Sequence, residues 1–93
     1  MSKITDSAKG EMCQIRIPNV CNFHSETTVF CHLNGAGMAL KSSDLHGAYG
    51  CSNCHFIVDG GKSKHKRSEI LLWFLQAIFR TQVILLKKGL IKI

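Results

Sequence analysis

Five cysteines and two histidines that directly follow cysteines carry most of the reactive chemistry of this 93-residue chain. Cys51 and Cys54 form a Cys-x-x-Cys pair inside the stretch CSNCH, which ends at His55. Two residues between ligands let a tight turn aim both sulfurs at one ion, and tetrahedral Zn²⁺ takes four such ligands at about 2.3 Å. Cys13 and Cys21 are the best second pair, with a spacing longer than a usual knuckle. Cys31 with His32 is the rival pair. A redox dithiol at 51 and 54 is a third reading, disfavoured because no βαβ pattern surrounds the pair.

The compartment bears on that choice. The N-terminal stretch MSKITDSAKGEMC has no apolar core of the kind a secretory signal needs. A cytoplasmic, reducing location is therefore expected, where cysteine clusters bind metals or catalyse more often than they form disulfides. An odd cysteine count also argues against complete pairing. The expected cofactor is a structural Zn²⁺ on Cys13, Cys21, Cys51 and Cys54.

His32 and His55 each sit beside a cysteine, and consecutive side chains diverge. A histidine next to a zinc-bound cysteine thus points away from that zinc. A neutral imidazole can act as general base toward water, and another can ligate a divalent cation. The plainer readings are a satisfied core histidine or fourth zinc ligand at 32, and a helix-start residue at 55. His24, His46 and His65 show no partner pattern.

Elements must hold these groups in place. One small domain spanning 1–93 is expected, and so short a chain buries only about 60 % of its unfolded surface, which makes a metal staple useful. Residues 1–12 read as a polar arm or short helix. Ile15 and Ile17 alternate with polar residues before Pro18-Asn19, which predicts a short strand entering a turn, with Thr27–Phe30 as the return strand. Glycines from 34 to 50 predict an irregular loop, with a brief turn or strand at Leu45–Tyr49. A helix over 68–88 is predicted from the Ser68 cap, Glu69 in the first turn and Gly89 beyond Lys87-Lys88. Ile70–Phe79 is apolar nearly all round and too short to span a bilayer, so burial in the core or in a homodimer interface is expected, and no membrane association.

The net charge is +6, with a pI near 9.3. Four thiolates on one Zn²⁺ would lower the charge to about +4, still basic enough to favour a polyanionic partner such as DNA.

The order of a cysteine pair, a strand ending in His32, a loop with Asp44-Leu45, then Cys51-x-x-Cys54-His55 resembles an HNH (His-Me finger) endonuclease motif. The stretches CQIRIPNVCN, ETTVFCHL, SDL before YGCSNCH, and RTQVILLKKGLIK are similar to the YbcO-like family of small phage and prophage nucleases. The resemblance implies an α+β, zinc-stapled ββα-metal domain of treble-clef type with a long apolar C-terminal helix. It implies metal-dependent hydrolysis of DNA phosphodiesters, with His32 as general base and Asp44 in the central position. His55 and Asp59 would ligate a catalytic Mg²⁺ or Mn²⁺, and Lys62, Lys64, Lys66 and Arg67 would contact the DNA backbone. Two positions depart from the HNH pattern: Cys31 stands where many members carry an acidic residue or histidine, and Asp44 stands for asparagine. Those departures keep a second class in view, a non-catalytic zinc module that binds nucleic acid or a host or phage protein, such as a host defence complex.

Overall fold

The computed structural model describes residues 3–33 and 44–91, with only the backbone at Asp44. Gly35 and Gly37 of the expected loop lie outside the described residues. Within them the chain is a small α+β fold with one two-stranded sheet and three α-helices. In chain order these are α1 (Lys3–Asp6), β1 (Val29–His32), β2 (Gly47–Gly50), α2 (Ser52–Val58) and α3 (Arg67–Lys87). Short 3₁₀ turns at Ser25–Thr27 and Asp44–His46 lead into the two strands.

The strands pair antiparallel, with Phe30 opposite Tyr49 and His32 opposite Gly47. This corrects the expected hairpin, in which 15–17 would have paired with 27–30. Ile15 and Ile17 are indeed both buried, but Arg16 between them has φ +53°. A left-handed residue breaks the pleat, so two side chains two apart turn inward without a strand. The Pro18-Asn19 turn does form: Asn19 has φ +62°, and Val20 and Cys21 both donate to the Ile17 carbonyl at 3.0 Å. Gln14 N–H donates to the Tyr49 carbonyl at 2.8 Å, so the segment before the turn covers the outer edge of β2. β2 reads GAYG, with Tyr49 its one strand former, and at its two glycines the neighbours come too close for larger residues. A Cβ on Gly50 would meet Ile15 Cδ1 at 2.6 Å and Cys31 Sγ at 2.8 Å.

α3 is the spine. Its start is held by the Glu69 carboxylate, which accepts the Lys66 N–H at 3.2 Å, in place of the expected Ser68 cap. Its end is a Schellman turn: Gly89 has φ +73° and donates to the Leu86 carbonyl, while Leu90 donates to Leu85, both at 3.0 Å. That is the role expected of Gly89, which tolerates a left-handed backbone. Ile70, Phe74, Ala77, Ile78, Thr81 and Leu85 are buried. The first four join the cysteines, Ile15, Ile17 and Ile57 in the main core, and Leu85 joins Ala8, Phe30 and Tyr49 in a second cluster. Buried Thr81 accepts the Tyr49 N–H through its Oγ1 at 3.2 Å, fixing helix to strand. The Tyr49 hydroxyl in turn bonds Ser7 Oγ at 2.7 Å, which anchors the N-terminal arm.

The expectation that α3 is buried all round holds for one face only. Leu72, Phe79 and Val83 are 54 %, 65 % and 50 % exposed. By length and composition α3 could cross a membrane, but its opposite face is the cover of the sheet and cysteine core.

Candidate metal centre and adjoining cleft

All five cysteines are free thiols, and four of them converge. The sulfurs of Cys13, Cys21, Cys51 and Cys54 lie within 4.8 Å of one another. Cys31 does not join this group, so the four are the expected set and the rival pair Cys31–His32 is not part of it. Each half is built by local backbone geometry. Cys51 is the N-cap of α2, and its sulfur accepts the Cys54 N–H at 3.4 Å. Cys13 Sγ accepts the Arg16 N–H at 3.5 Å, across the left-handed Arg16. The turn at 18–20 then brings Cys21 back, its sulfur 3.8 Å from Cys51 Sγ. The long spacing between Cys13 and Cys21 is thus a bent knuckle plus a turn.

The donor set can hold a metal ion such as zinc. Sulfurs bound to tetrahedral Zn²⁺ at about 2.3 Å stand about 3.8 Å apart, which matches the Cys21–Cys51 separation. The thiols are electrostatically coupled as well. The Cys54 thiol donates to Cys13 and, with backbone N–H groups, holds Cys13 down to about 4. Cys54 is pushed up by the same bond and by burial. Burial raises Cys21 to about 11. Four thiolates packed this closely need a positive ion to coexist. Cys31 is fully buried and pushed up to about 12 by that burial, which makes it a core residue with an inert thiol.

Two arginines brace the Cys13 loop. Arg16 Nε donates to the Cys13 carbonyl at 3.0 Å, and Arg80 of α3 donates to the Gln14 carbonyl. Burial and the charge of Arg16 lower the pKa of Arg80.

Beside the cysteine cluster, a cleft of about 370 Å³ opens between the end of β1, the end of α2 and the start of α3. His32, Asp59 and Arg67 are its ionisable lining, over an apolar floor of Ile70, Leu71 and Phe74. Three residues singled out in the sequence, from three separate stretches, therefore share one cleft. His55 lies in α2, four residues before the C-cap residue Asp59, and does not line this cleft. Asp44 opens the 3₁₀ turn preceding β2, and its side chain lies outside the described residues. Arg67 is also structural. Its guanidinium donates to the Ile57 and Val58 carbonyls at 2.9 and 3.4 Å, closing the C-terminal end of α2.

Lys62 and Lys64 face another hollow, of about 430 Å³, walled by Pro18, Asn19 and Val20 of the cysteine turn. Lys66 is exposed at the start of α3. His65 carried no signal in the sequence, yet it joins the two walls. Its Nε2–H donates to the Pro18 carbonyl at 2.9 Å, and its ring meets Trp73 edge-on, centroids 4.9 Å apart. Both partners are tertiary, so no local pattern could have found them.

Comparison with known proteins gives a consistent kinship. The family model described as "Putative nuclease YbcO" matches residues 2–90. The chain is 37 % identical, over 99 % of both lengths, to "Putative nuclease YbcO" of Escherichia coli (strain K12). It is equally similar to "Putative nuclease ybcO" of Enterobacteria phage 82. A solved structure, "Structure of a putative bacteriophage protein from Escherichia coli str. K-12 substr. MG1655", superposes with a TM-score of 0.81 at 38 % identity, covering 91 % of this chain and 98 % of that one. The chain belongs to the YbcO family, which is found in bacterial and phage genomes.

Proposed function

We propose that this protein is a metal-dependent DNA endonuclease of HNH type, built on a treble-clef zinc scaffold, that works in the cytoplasm of a bacterial host. The observation that carries the reading is the cleft in which His32, Asp59 and Arg67 meet beside the four-cysteine centre. Hydrolysis of a phosphodiester needs a base to take a proton from water and positive charge to meet the phosphate. His32 would accept that proton at a ring nitrogen. Arg67, already at the rim, would face a phosphate oxygen, and Lys62, Lys64 and Lys66 would follow the strand. His55 and Asp59 stand four residues apart, and the Asp59 N–H, at the C-cap of α2, donates to the His55 carbonyl at 3.0 Å. Together they would hold a Mg²⁺ or Mn²⁺ ion, which would stabilise charge on the phosphate and leaving oxygen. Zn²⁺ on Cys13, Cys21, Cys51 and Cys54 would be structural.

The test is nicking of supercoiled plasmid DNA by the zinc-loaded chain with added Mg²⁺ or Mn²⁺. Loss of nicking in His32→Ala and in His55→Ala, with folding preserved, is the expected result. Activity surviving both changes, or absent with every divalent ion, would sink the proposal.

A second reading keeps the zinc scaffold without catalysis, as a binder of nucleic acid or of a host or phage protein. The position of His55 outside the cleft favours it. It expects full function in both alanine variants and loss on changing Lys62 or Lys64.

A further inference from the structure

The Cys13–Cys21 loop carries two cations that neither the metal centre nor the His32 cleft uses as ligands or lining. Arg16 Nε donates to the Cys13 carbonyl at 3.0 Å, and Arg80 of α3 donates to the next carbonyl, that of Gln14. Two guanidiniums are thus set side by side on consecutive peptide groups. Like charges held this close repel, and after burial the charge of Arg16 is the next cause lowering the pKa of Arg80. No carboxylate among the described residues relieves them: the ion pairs there are His24–Glu26 and Lys88–Glu11. Arg80 Nε is buried with no acceptor among the described residues. Arg16 is exposed, and its terminal NH₂ groups have no partner among those residues either. A pair of donors arranged this way answers to an anion.

Two anions are candidates. A zinc–thiolate centre is negatively charged, and the Cys13 thiolate already favours the charged form of Arg80. That accounts for the buried side of the pair and not for the outward donors of Arg16. The surroundings point to an extended polyanion. Arg16 stands two residues before Pro18, whose carbonyl accepts from His65, and Pro18 and Asn19 wall the hollow that Lys62 and Lys64 face. Ile57 of that hollow is followed directly by Val58 and Asp59 of the His32 cleft. Cations therefore succeed one another from the cleft, over the cysteine loop, to Arg80. Glu69, the one acidic residue of α3, is engaged with the Lys66 N–H.

We propose that Arg16 and Arg80 form a clamp for one phosphate of a nucleic-acid backbone, at the end of this track farthest from the His32 cleft. A phosphate oxygen facing each guanidinium offsets the like-charge approach, and the planar forks suit its geometry. The backbone bonds to Cys13 and Gln14 hold both groups in place before the phosphate arrives. The clamp rests on the reading of the chain as a protein that acts on DNA, and it adds a contact on the cysteine loop; it does not require catalysis.

Duplex DNA binding by the zinc-loaded full chain, read by fluorescence anisotropy at several salt concentrations without divalent ions, tests it. Arg16→Gln should keep its zinc and its unfolding midpoint, since the side chain is exposed. It should weaken binding about tenfold at about 0.1 M salt and reduce the slope of log affinity against log salt by about 1. Arg80→Gln should do the same, and Arg16→Gln decides the matter if the half-buried Arg80 variant does not fold. Lys9→Gln, an equal loss of charge on the N-terminal arm, should leave the slope unchanged. Binding by Arg16→Gln equal to wild type would overturn the clamp, as would an equal loss in Lys9→Gln or a wild type that binds no DNA. Stabilisation by inorganic phosphate, lost in Arg16→Gln and unaccompanied by DNA binding, would overturn it in favour of a small phosphate ligand. Nicking assays on the same preparations separate the two readings. Arg16-dependent binding without nicking keeps the clamp and removes the nuclease, and nicking with binding indifferent to Arg16 does the reverse.

Discussion

Arg67 Nη1 donates to the Ile57 carbonyl at 2.9 Å, so the first residue of α3 also closes the end of α2. One side chain thereby fixes the angle between the two helices that form the cleft, and it places its charge at the cleft's rim. Arg67→Ala should cost about 1 kcal/mol in urea unfolding, since one part-buried and one exposed hydrogen bond are lost and water partly replaces them. If Arg67 meets DNA as proposed, Arg67→Lys should recover most of the DNA affinity but not the stability, because an ammonium cannot span both carbonyls. Equal stability of the Lys variant and the wild type would contradict the bracing role.

A metal held by the four-cysteine centre would couple folding to its binding. Cys54→Ala should lose zinc and most of the cooperative thermal transition, because binding free energy at a structural site is folding free energy. Cys31→Ala should keep one equivalent of zinc and lose only about 1 kcal/mol, as a small buried side chain outside the cluster. Elemental analysis of both purified variants separates the ligand set from its rival. Zinc lost from Cys31→Ala and kept in Cys54→Ala would reverse the assignment.

Thr81 is a polar residue at a fully buried position, and Tyr49 N–H is its reason. Thr81→Val conserves shape but leaves that donor without its acceptor, at a cost of about 1–3 kcal/mol. Thr81→Ser should recover most of the loss. Chemical denaturation of the two variants checks this, and a Val variant as stable as wild type would remove Thr81 from the account.

What the sequence disclosed follows from how local each signal is. The Cys51-x-x-Cys54 turn and the Gly89 cap are set by neighbours within four residues, and both stand where they were read. A brief turn or strand was read at Leu45–Tyr49, but its pairing with β1 was hidden because Tyr49 is the one strand former in GAYG, and its glycines answer to Phe30, Ile15 and Cys31 far along the chain. Ile15 and Ile17 misled for a physical reason: alternate burial has two sources, a pleat or a single left-handed residue, and Arg16 supplies the second. Apolarity of α3 signalled contact on every side, but one side is left uncovered. The cleft was legible only through the family resemblance, since nothing local to His32, Asp59 or Arg67 says that they meet.

Lys62 and Lys64 extend the basic rim away from the cleft. If they contact phosphates, each change to Ala should weaken DNA binding without altering sequence preference. It should also reduce the slope of log affinity against log salt by about 1 per lysine. His65→Ala should loosen the same loop by removing its bond to Pro18 and its contact with Trp73. Fluorescence anisotropy at several salt concentrations measures both effects. A slope unchanged in Lys62→Ala and Lys64→Ala would leave these residues as solvated surface.

The proposed catalysis turns on His32 and on which groups act with it. If His32 is the general base, His32→Ala should lower the nicking rate by about 10²–10⁴-fold while DNA affinity stays within about twofold, because general-base catalysis acts in the transition state. Asp59→Asn should raise the Mn²⁺ concentration needed for half-maximal nicking, since it removes a carboxylate from the proposed ion. His55→Ala separates two geometries. If it shifts the metal requirement as Asp59→Asn does, the two act as a pair from the end of α2. If it leaves nicking unchanged while Asp59→Asn does not, the ion is held within the His32–Asp59 cleft without it. Metal titrations of nicking for the three variants distinguish these cases, and a His32→Ala variant with wild-type activity would end the assignment of the base.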